Sequence, residues 1–345
     1  MAFCVVSRRS FTRRVAAMRR QRAMSGASGM TYLPAVCGLA GALICLAGKA
    51  RAGELAATRH EGGVRIEVDG KLFADYLIST GPKPILWPVI GPSGVELTRA
   101  YRMRLREGEK QDHPHQRSMW FTHGSVNGID FWSESEGHGS IVHREFLEVA
   151  GGSEAAVIAA RNDWLGPDGT KQCEDERRLV FRAGEDWRAI DFEITVRASE
   201  GPVVFGDTKE GTFGLRVPTV MDVNSGLGGK IVNSEGQTNE QAWGQPAAWV
   251  DYHGPVGGEV VGVAILNHPS SFRFPTTWHV RTYGLFAANP FGLSDFRGTK
   301  EVDGSHRLEP GESFTLRYRV LLHRGDEVQG KVAEAFAAYA QEQRE

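Results

Sequence analysis

The chain has 345 residues, with 40 Lys+Arg against 42 Asp+Glu, 42 glycines and four cysteines. Residues 1–52 hold nine of the basic residues and no acidic one, so the 293 that follow carry 31 Lys+Arg against 42 Asp+Glu, a net charge of −11. That balance argues against nucleic acid or an anionic membrane as a partner, and 293 residues are enough to bury a sizeable core.

The first predicted element is a targeting segment. Arg8, Arg9, Arg13, Arg14, Arg19, Arg20 and Arg22 precede an apolar run from Tyr32 to Ala47, and Ala50-Arg51-Ala52 offers small residues where signal peptidase reads them. Residues 1–52 are therefore expected to be a signal peptide cleaved before Gly53, and the mature chain to be periplasmic or extracellular. Ser7-Arg8-Arg9-Ser10-Phe11 resembles the twin-arginine export motif, although Arg19, Arg20 and Arg22 separate it from the apolar run. Three of the four cysteines fall in this segment. Cys173 is left alone, so no internal disulfide is expected.

Beyond Gly53 the pattern becomes one of short alternations. Val64-Arg65-Ile66-Glu67-Val68, Ile190 to Val196, Val260 to Leu266 and Phe314 to Leu322 place apolar residues at every second position, the period of a half-buried strand. Asp69-Gly70 is a hairpin signal. Such strands, separated by Gly, Pro, Asn and Asp, predict an all-β fold, an antiparallel β-sandwich forming a single domain over 53–345. A supersandwich of the galactose-mutarotase type is one form of it. Only the end reads as helix: Asp326 is placed to cap a helix over 326–341 with Val328, Val332, Phe336 and Tyr339 on its apolar face.

Three clusters carry chemistry. The densest runs from Asp112 to Gly124 and includes His113, His115, Arg117, Trp120 and His123, followed by Asn127 to Trp132, His138 and His143. In an extended segment His113 and His115 point to one side. Such a pair suits a divalent transition metal, with His123 or His143 as third ligand; it equally suits acid/base chemistry or hydrogen bonding to a ligand. Nothing in the sequence requires a cofactor.

The second cluster, Trp278 to Gly284, puts His279, Arg281 and Tyr283 on one strand face, where three polar groups in line point to a cleft. In the third, Phe213, Leu215 and Val217 alternate with Glu210, Thr212, Gly214 and Arg216. Glu210 can pair with Asp207 as acid and base, or with Arg216 as an ion pair. Trp120, Trp132, Trp243, Trp249, Tyr252 and Trp278 lie beside Gly, Asn, Asp or His, as a binder of sugar rings needs them.

The runs His113 to Phe121, Asn127 to Trp132, Asn233 to Gly236, Trp243 to Tyr252 and Trp278 to Gly292 resemble a family of exported bacterial proteins of unknown function, often labelled PmoA after a methane oxygenase subunit. Methane oxidation by that enzyme belongs to a membrane-embedded complex, whereas no apolar run beyond Gly53 approaches the roughly 20 residues needed to span a bilayer. The resemblance therefore implies family membership and not that activity. Members resemble proteins of sugar-degrading systems.

The expectation is thus an exported protein acting on a carbohydrate or polyol as hydrolase or lyase. Its catalytic groups are expected to be His115, His123, His279 and Glu210. His113, Arg117, Trp120, Trp132, Trp243, Arg281, Tyr283 and Asn289 are expected to hold a small-molecule or oligosaccharide ligand. A non-catalytic sugar binder, or a metalloenzyme using His113, His115 and His123, is the alternative.

Overall fold

A computed structural model describes residues 53–343; the expected signal peptide, 1–52, lies outside the described residues. In chain order the strands are β1 (Leu55–His60), β2 (Gly63–Val68), β3 (Lys71–Leu77), β4 (Ile85–Val89), β5 (Met119–His123), β6 (Ser140–Ala150), β7 (Ala156–Leu165), β8 (Lys171–Ala183), β9 (Trp187–Arg197), β10 (Val203–Phe205), β11 (Gly211–Arg216), β12 (Lys230–Asn233), β13 (Trp249–Val256), β14 (Glu259–Asn267), β15 (Trp278–Val280), β16 (Leu285–Ala288), β17 (His306–Leu308) and β18 (Ser313–Arg324). Two short helices join them, α1 (Leu293–Arg297) and α2 (Val332–Tyr339).

Eight strands form one antiparallel sheet in the order β1-β2-β3-β4-β5-β11-β16-β15. Eight more form the second, β12-β13-β14-β18-β9-β8-β7-β6, and β10 pairs with β17. The side-chain period explains the stacking. Along β9 and β18, Phe192, Ile194 and Val196 sit opposite Tyr318, Leu316 and Phe314, all buried in the core. Between them Glu193 faces Arg317 and Asp191 faces Arg319 as ion pairs at 2.7 and 2.5 Å. Rings then bridge the sheets: Phe121 meets Phe192 at 6.2 Å, Phe73 meets Phe181 at 5.5 Å, and Phe213 lies parallel to Tyr318 at 5.0 Å. Each fully buried side chain of this size contributes about 1.5–3 kcal/mol. This is the antiparallel β-sandwich the alternation predicts.

The predicted hairpin is present. Asp69 and Gly70 have φ of 50° and 72°, the left-handed pair of a type I′ turn. Cys173 is free and buried. One polar knot lies in the second sheet: Asp175 accepts from Arg177 Nη2 at 2.6 Å, Asn162 Nδ2 at 2.7 Å and Trp164 Nε1 at 2.8 Å, all four residues being buried.

The terminal helix departs from expectation. Asp326 does cap, accepting from Val328 N at 3.2 Å and Gln329 N at 2.8 Å, but it closes a separate turn. Lys331, at φ 51°, breaks the chain before α2 begins at Val332. Val328 is left exposed, while Val332, Phe336 and Tyr339 cover Ala264, Leu266 and Leu321 on the outer face of the second sheet. Among the described residues no helix is long and apolar enough to cross a membrane.

The outer face of the first sheet is apolar as well. Ile85, Trp120, Trp132, Leu285 and Ala287 form a small cluster there. Gly214 makes room for it, since a Cβ at that position would stand 2.6 Å from the Trp120 indole. The segments around 98–118 and 124–139, with the turns that carry Glu210 and Tyr283, build the pocket over this face.

Candidate functional site

The histidine loop is held from beneath. Arg99, fully buried, gives Nη1 to Asp112 Oδ1 at 2.5 Å and Nη2 to the carbonyls of His113 and Gln116 at 2.9 and 3.2 Å. Arg216 at the end of β11 reaches the same Asp112 oxygen at 2.9 Å and also donates to Gln116 Oε1. Burial works to raise the Asp112 carboxyl, but Arg216 and Arg99 outweigh it and hold the group below the usual range. Two arginines thus fix one aspartate, and through it the backbone that presents His113 and His115. Ser118, at φ 56°, then turns the chain into β5, its Oγ donating to Thr98 Oγ1 at 2.8 Å.

Above this support lies a pocket of about 250 Å³, lined by His113, His115, Gln116, Gly124, Asp130, Trp132, Ser133, Glu210 and Tyr283. His113 stacks on Tyr283 with ring centres 5.1 Å apart and planes within 5°. Its Nδ1 is 3.1 Å from Asp112 Oδ2. The His115 ring is 5.8 Å from His113 and 6.3 Å from Trp132. Burial, helped by Lys83 and His113, pushes the His115 imidazole down to about 4, so it is neutral at neutral pH and can accept a proton. Burial raises the Tyr283 phenol, which stays a donor. Glu210, in the turn before β11, is half-exposed and pairs with Lys209 Nζ at 2.8 Å. Asp130 is partly spent on its own turn, Oδ1 accepting from Trp132 N at 2.6 Å and Ser133 N at 3.1 Å.

A second hollow of about 310 Å³ adjoins it, lined by Glu240, Trp243, Val280, Arg281 and Thr282. Arg281, which lines this hollow, connects it to the first through Tyr283, its guanidinium 5.5 Å from the Tyr283 ring centre and 5.9 Å from that of Trp243. A larger hollow, about 690 Å³, opens elsewhere beside Asp69, Lys71, Pro92 and Arg188. It contains no histidine or aromatic wall, so size alone does not mark the site.

Six expected residues therefore line one pocket or its neighbour directly, besides Glu210: His113, His115, Trp132, Tyr283, Trp243 and Arg281. The others lie elsewhere. His123 shares the inner face of β5 with Phe121, packed 5.3 Å from Phe205 and 5.1 Å from Phe291, and its Nε2 donates to Gly206 O at 2.8 Å. It looks into the sandwich while His113 and His115 look outward, so the alternative metal set of His113, His115 and His123 does not assemble. His143 lies against Phe146 on β6, also away from the pocket.

His279 does face outward beside Ala287, but it is buried beneath the Lys209-Glu210 turn. Its Nδ1 donates to Lys209 O at 2.8 Å and its Nε2 has no partner. Arg117 is bound to Glu134 at 2.8 Å through both Nε and Nη2, and to Thr80 O at 3.0 Å, leaving it no reach to a ligand. Asn289 is fully buried, donating to Thr208 O and accepting from Phe291 N, each at 2.9 Å. Trp120 is a floor beneath Trp132, 5.4 Å away, and not a wall. Asp207 caps neighbouring backbone, accepting from Ser294 N at 3.0 Å and Gly304 N at 2.7 Å, and is no partner for Glu210. Nor does Arg216 pair with Glu210, since Asp112 holds it.

Asp112, Gln116 and Asp130 stand in the histidine-rich runs, but their roles in the pocket and its support come only from the structure. Arg99 gives no signal in sequence, because only the tertiary fold brings it under the loop.

The two buried histidines predict a pH response. Burial lowers both His123 and His279 from 6.5 to about 4. Between those values the unfolded chain binds protons that the folded chain does not, so stability is complete above about pH 6.5 and falls as pH drops toward 4, by on the order of 3 kcal/mol per residue. Glu134, held at about 2 by Arg117 and Lys83 against the effect of burial, begins to lose its contribution only below about 4.5. Urea unfolding at pH 7.5, 6 and 5 should show the loss; equal midpoints at all three would contradict it.

A family model described as a family of unknown function, DUF6807, matches residues 63–337. The chain belongs to that family. Its description says nothing of methane oxygenase. No curated protein matches in sequence. Among solved structures, a galactose mutarotase-like protein from Clostridium acetobutylicum is 10% identical with a TM-score of 0.40, covering 79% of this chain and 99% of that one. A glycoside hydrolase family 97 enzyme from Pseudoalteromonas sp. strain K8, in complex with acarbose, is 12% identical with a TM-score of 0.32, covering 80% of this chain and 34% of its own. A family 36 α-galactosidase from Geobacillus stearothermophilus is 14% identical with a TM-score of 0.35, covering 79% and 40%. This chain thus spans about a third of the length of the family 97 enzyme it matches.

Proposed function

We propose that this DUF6807 protein is exported and acts on a carbohydrate or related polyol, as a hydrolase or lyase, in the pocket between His115 and Glu210. The observation that carries the reading is the convergence there of a neutral imidazole, a carboxylate, a phenol and the wall of Trp132 in about 250 Å³. Both reactions need one group to take a proton and another to give one. Neutral His115 or the Glu210 carboxylate takes the proton and the Tyr283 phenol, which keeps its own, gives one, while His113 binds hydroxyls and Trp132 packs on the apolar side of the ring. Arg281 and Trp243 extend the site to a neighbouring sugar unit.

Incubating the protein with a pool of plant and bacterial glycans and analysing released products tests this directly. Product from wild type and none from His115→Ala supports it; no product, or equal product from both, overturns it. The adjoining hollow gives a further prediction: Trp243→Ala should weaken binding of an oligosaccharide about tenfold, the worth of one stacking contact, and leave a monosaccharide's affinity unchanged. Calorimetric titration reads both.

One observation favours a second reading. Glu210 is already paired with Lys209, and much of the polar lining is engaged in loop structure. A binding protein without chemistry fits such a pocket, and would give titration heat with a glycan but no product on long incubation.

A further inference from the structure

On the opposite side of the sandwich, three adjacent strands of the second sheet bring together groups that the sugar pocket does not use. The register aligns His253 of β13, Gly262 of β14 and His323 of β18 in one row. Asp251, two residues before His253, shares its face. Gly262 leaves the row open, for a Cβ there would stand 2.1 Å from the His323 ring, and a Cβ at Gly330 would close on it from the other side at 2.2 Å. The turn capped by Asp326 then carries Glu327 over the row.

Three donor groups converge on one point. His253 Nδ1 lies 2.6 Å from Asp251 Oδ1 and 3.5 Å from Glu327 Oε2. One ligand atom from each of Asp251, His253 and Glu327 falls within 4.8 Å of the others. Asp251 and His253 are buried, and Glu327 is mostly so. A single Nδ1–H cannot satisfy two carboxylates, and Glu327 Oε2 is buried with no hydrogen-bond partner. Buried carboxylate oxygens without a donor are costly.

His323 completes the arrangement. Its Nδ1 faces the Arg324 carbonyl at 3.1 Å and its Nε2 faces Asp251 Oδ2 at 2.8 Å. A carboxylate that ligates a metal is itself hydrogen-bonded, and His323 gives Asp251 such a partner on its far oxygen.

We propose that Asp251, His253 and Glu327 form a site for a divalent transition-metal ion, zinc fitting best, with His323 as a positioning residue. The mixed imidazole and carboxylate set suits zinc at three positions with water at the fourth. Binding replaces the His253 Nδ1 proton, which is released to solvent, and gives Glu327 Oε2 the partner it lacks. The site's place, joining β13 to the turn before α2, makes it a clasp for the C-terminal segment rather than part of the carbohydrate chemistry.

The test uses the full untagged chain, treated with chelator, desalted and titrated with zinc chloride by calorimetry and thermal unfolding. The expected result is one equivalent bound and a Tm raised by several degrees at excess zinc. His253→Gln should abolish both effects. Glu327→Gln, at a partly exposed position that leaves folding intact, should weaken binding at least tenfold, and His323→Gln by about 10–100-fold. The double variant His113→Ala/His115→Ala should bind zinc as wild type does. No heat and no Tm shift in wild type would overturn the site, as would wild-type affinity in Glu327→Gln or loss of binding in the pocket double variant.

Discussion

Asp175→Ala destabilises the protein by about 3–5 kcal/mol, lowering its Tm by roughly 5–10 °C. Asp175 and Arg177 are 0% and 1% exposed, so removing the carboxylate strands a buried guanidinium with no route to water. Burial works against the charged form of Arg177, and Asp175 is the largest influence sustaining it. The loss also leaves Asn162 Nδ2 and Trp164 Nε1 without their acceptor, and Trp164 packs on Phe121, Phe131 and Phe205 at the centre of the sandwich. Asp175→Asn keeps the shape and one acceptor, and should cost less. Chemical denaturation of the three proteins measures this. A change below about 1 kcal/mol for Asp175→Ala would show that the knot relaxes or hydrates.

The second large effect belongs to the proposed chemistry. His115→Ala and Glu210→Gln should each lower kcat/KM on the responsive glycan by about 10²–10⁴, the usual worth of a positioned proton-transfer group. Folding should hardly change. Neither side chain is in the core, and the loop that carries His115 is fixed by Arg99 and Arg216 through Asp112, which these variants leave alone. The pH profile separates roles: with His115 held at about 4, activity that needs it neutral is sustained through neutral pH and falls only as pH approaches 4. A wild-type rate in either variant, or an acidic limb near 6.5 that His115→Ala does not move, would remove that residue from the mechanism.

How much of this was legible in sequence differs from element to element. Alternation located β2, β9, β14 and β18, because a period of two is a local property and one buried face suffices to impose it. Asp69-Gly70 named its own turn for the same reason. The start expected for the C-terminal helix differs from the observed one because Asp326 can cap a turn as well as a helix; the left-handed Lys331 ends that turn, one residue after Gly330, which packs on His323. Within the site, His113 and His115 share one pocket, but through a turn and not through the extended segment their spacing assumes: His113 is left-handed, at φ 44°, and its carbonyl accepts from Gln116 N at 3.0 Å. His123 has the same parity on paper yet faces inward, since the left-handed Ser118 resets the alternation between loop and strand.

The sequence by itself determined the all-β class and the most regular of its strands, which follow from local periodicity and residue type. Tertiary structure alone decided which groups meet. Glu210 and Tyr283 reach the His115 pocket from the turns before β11 and between β15 and β16, distant in sequence, Arg99 and Arg216 converge on Asp112 from below, and His253, Gly262 and His323 fall into one row only through the register of β13, β14 and β18. Pairing between distant strands is set by the packing of the whole core, and no window of sequence contains it.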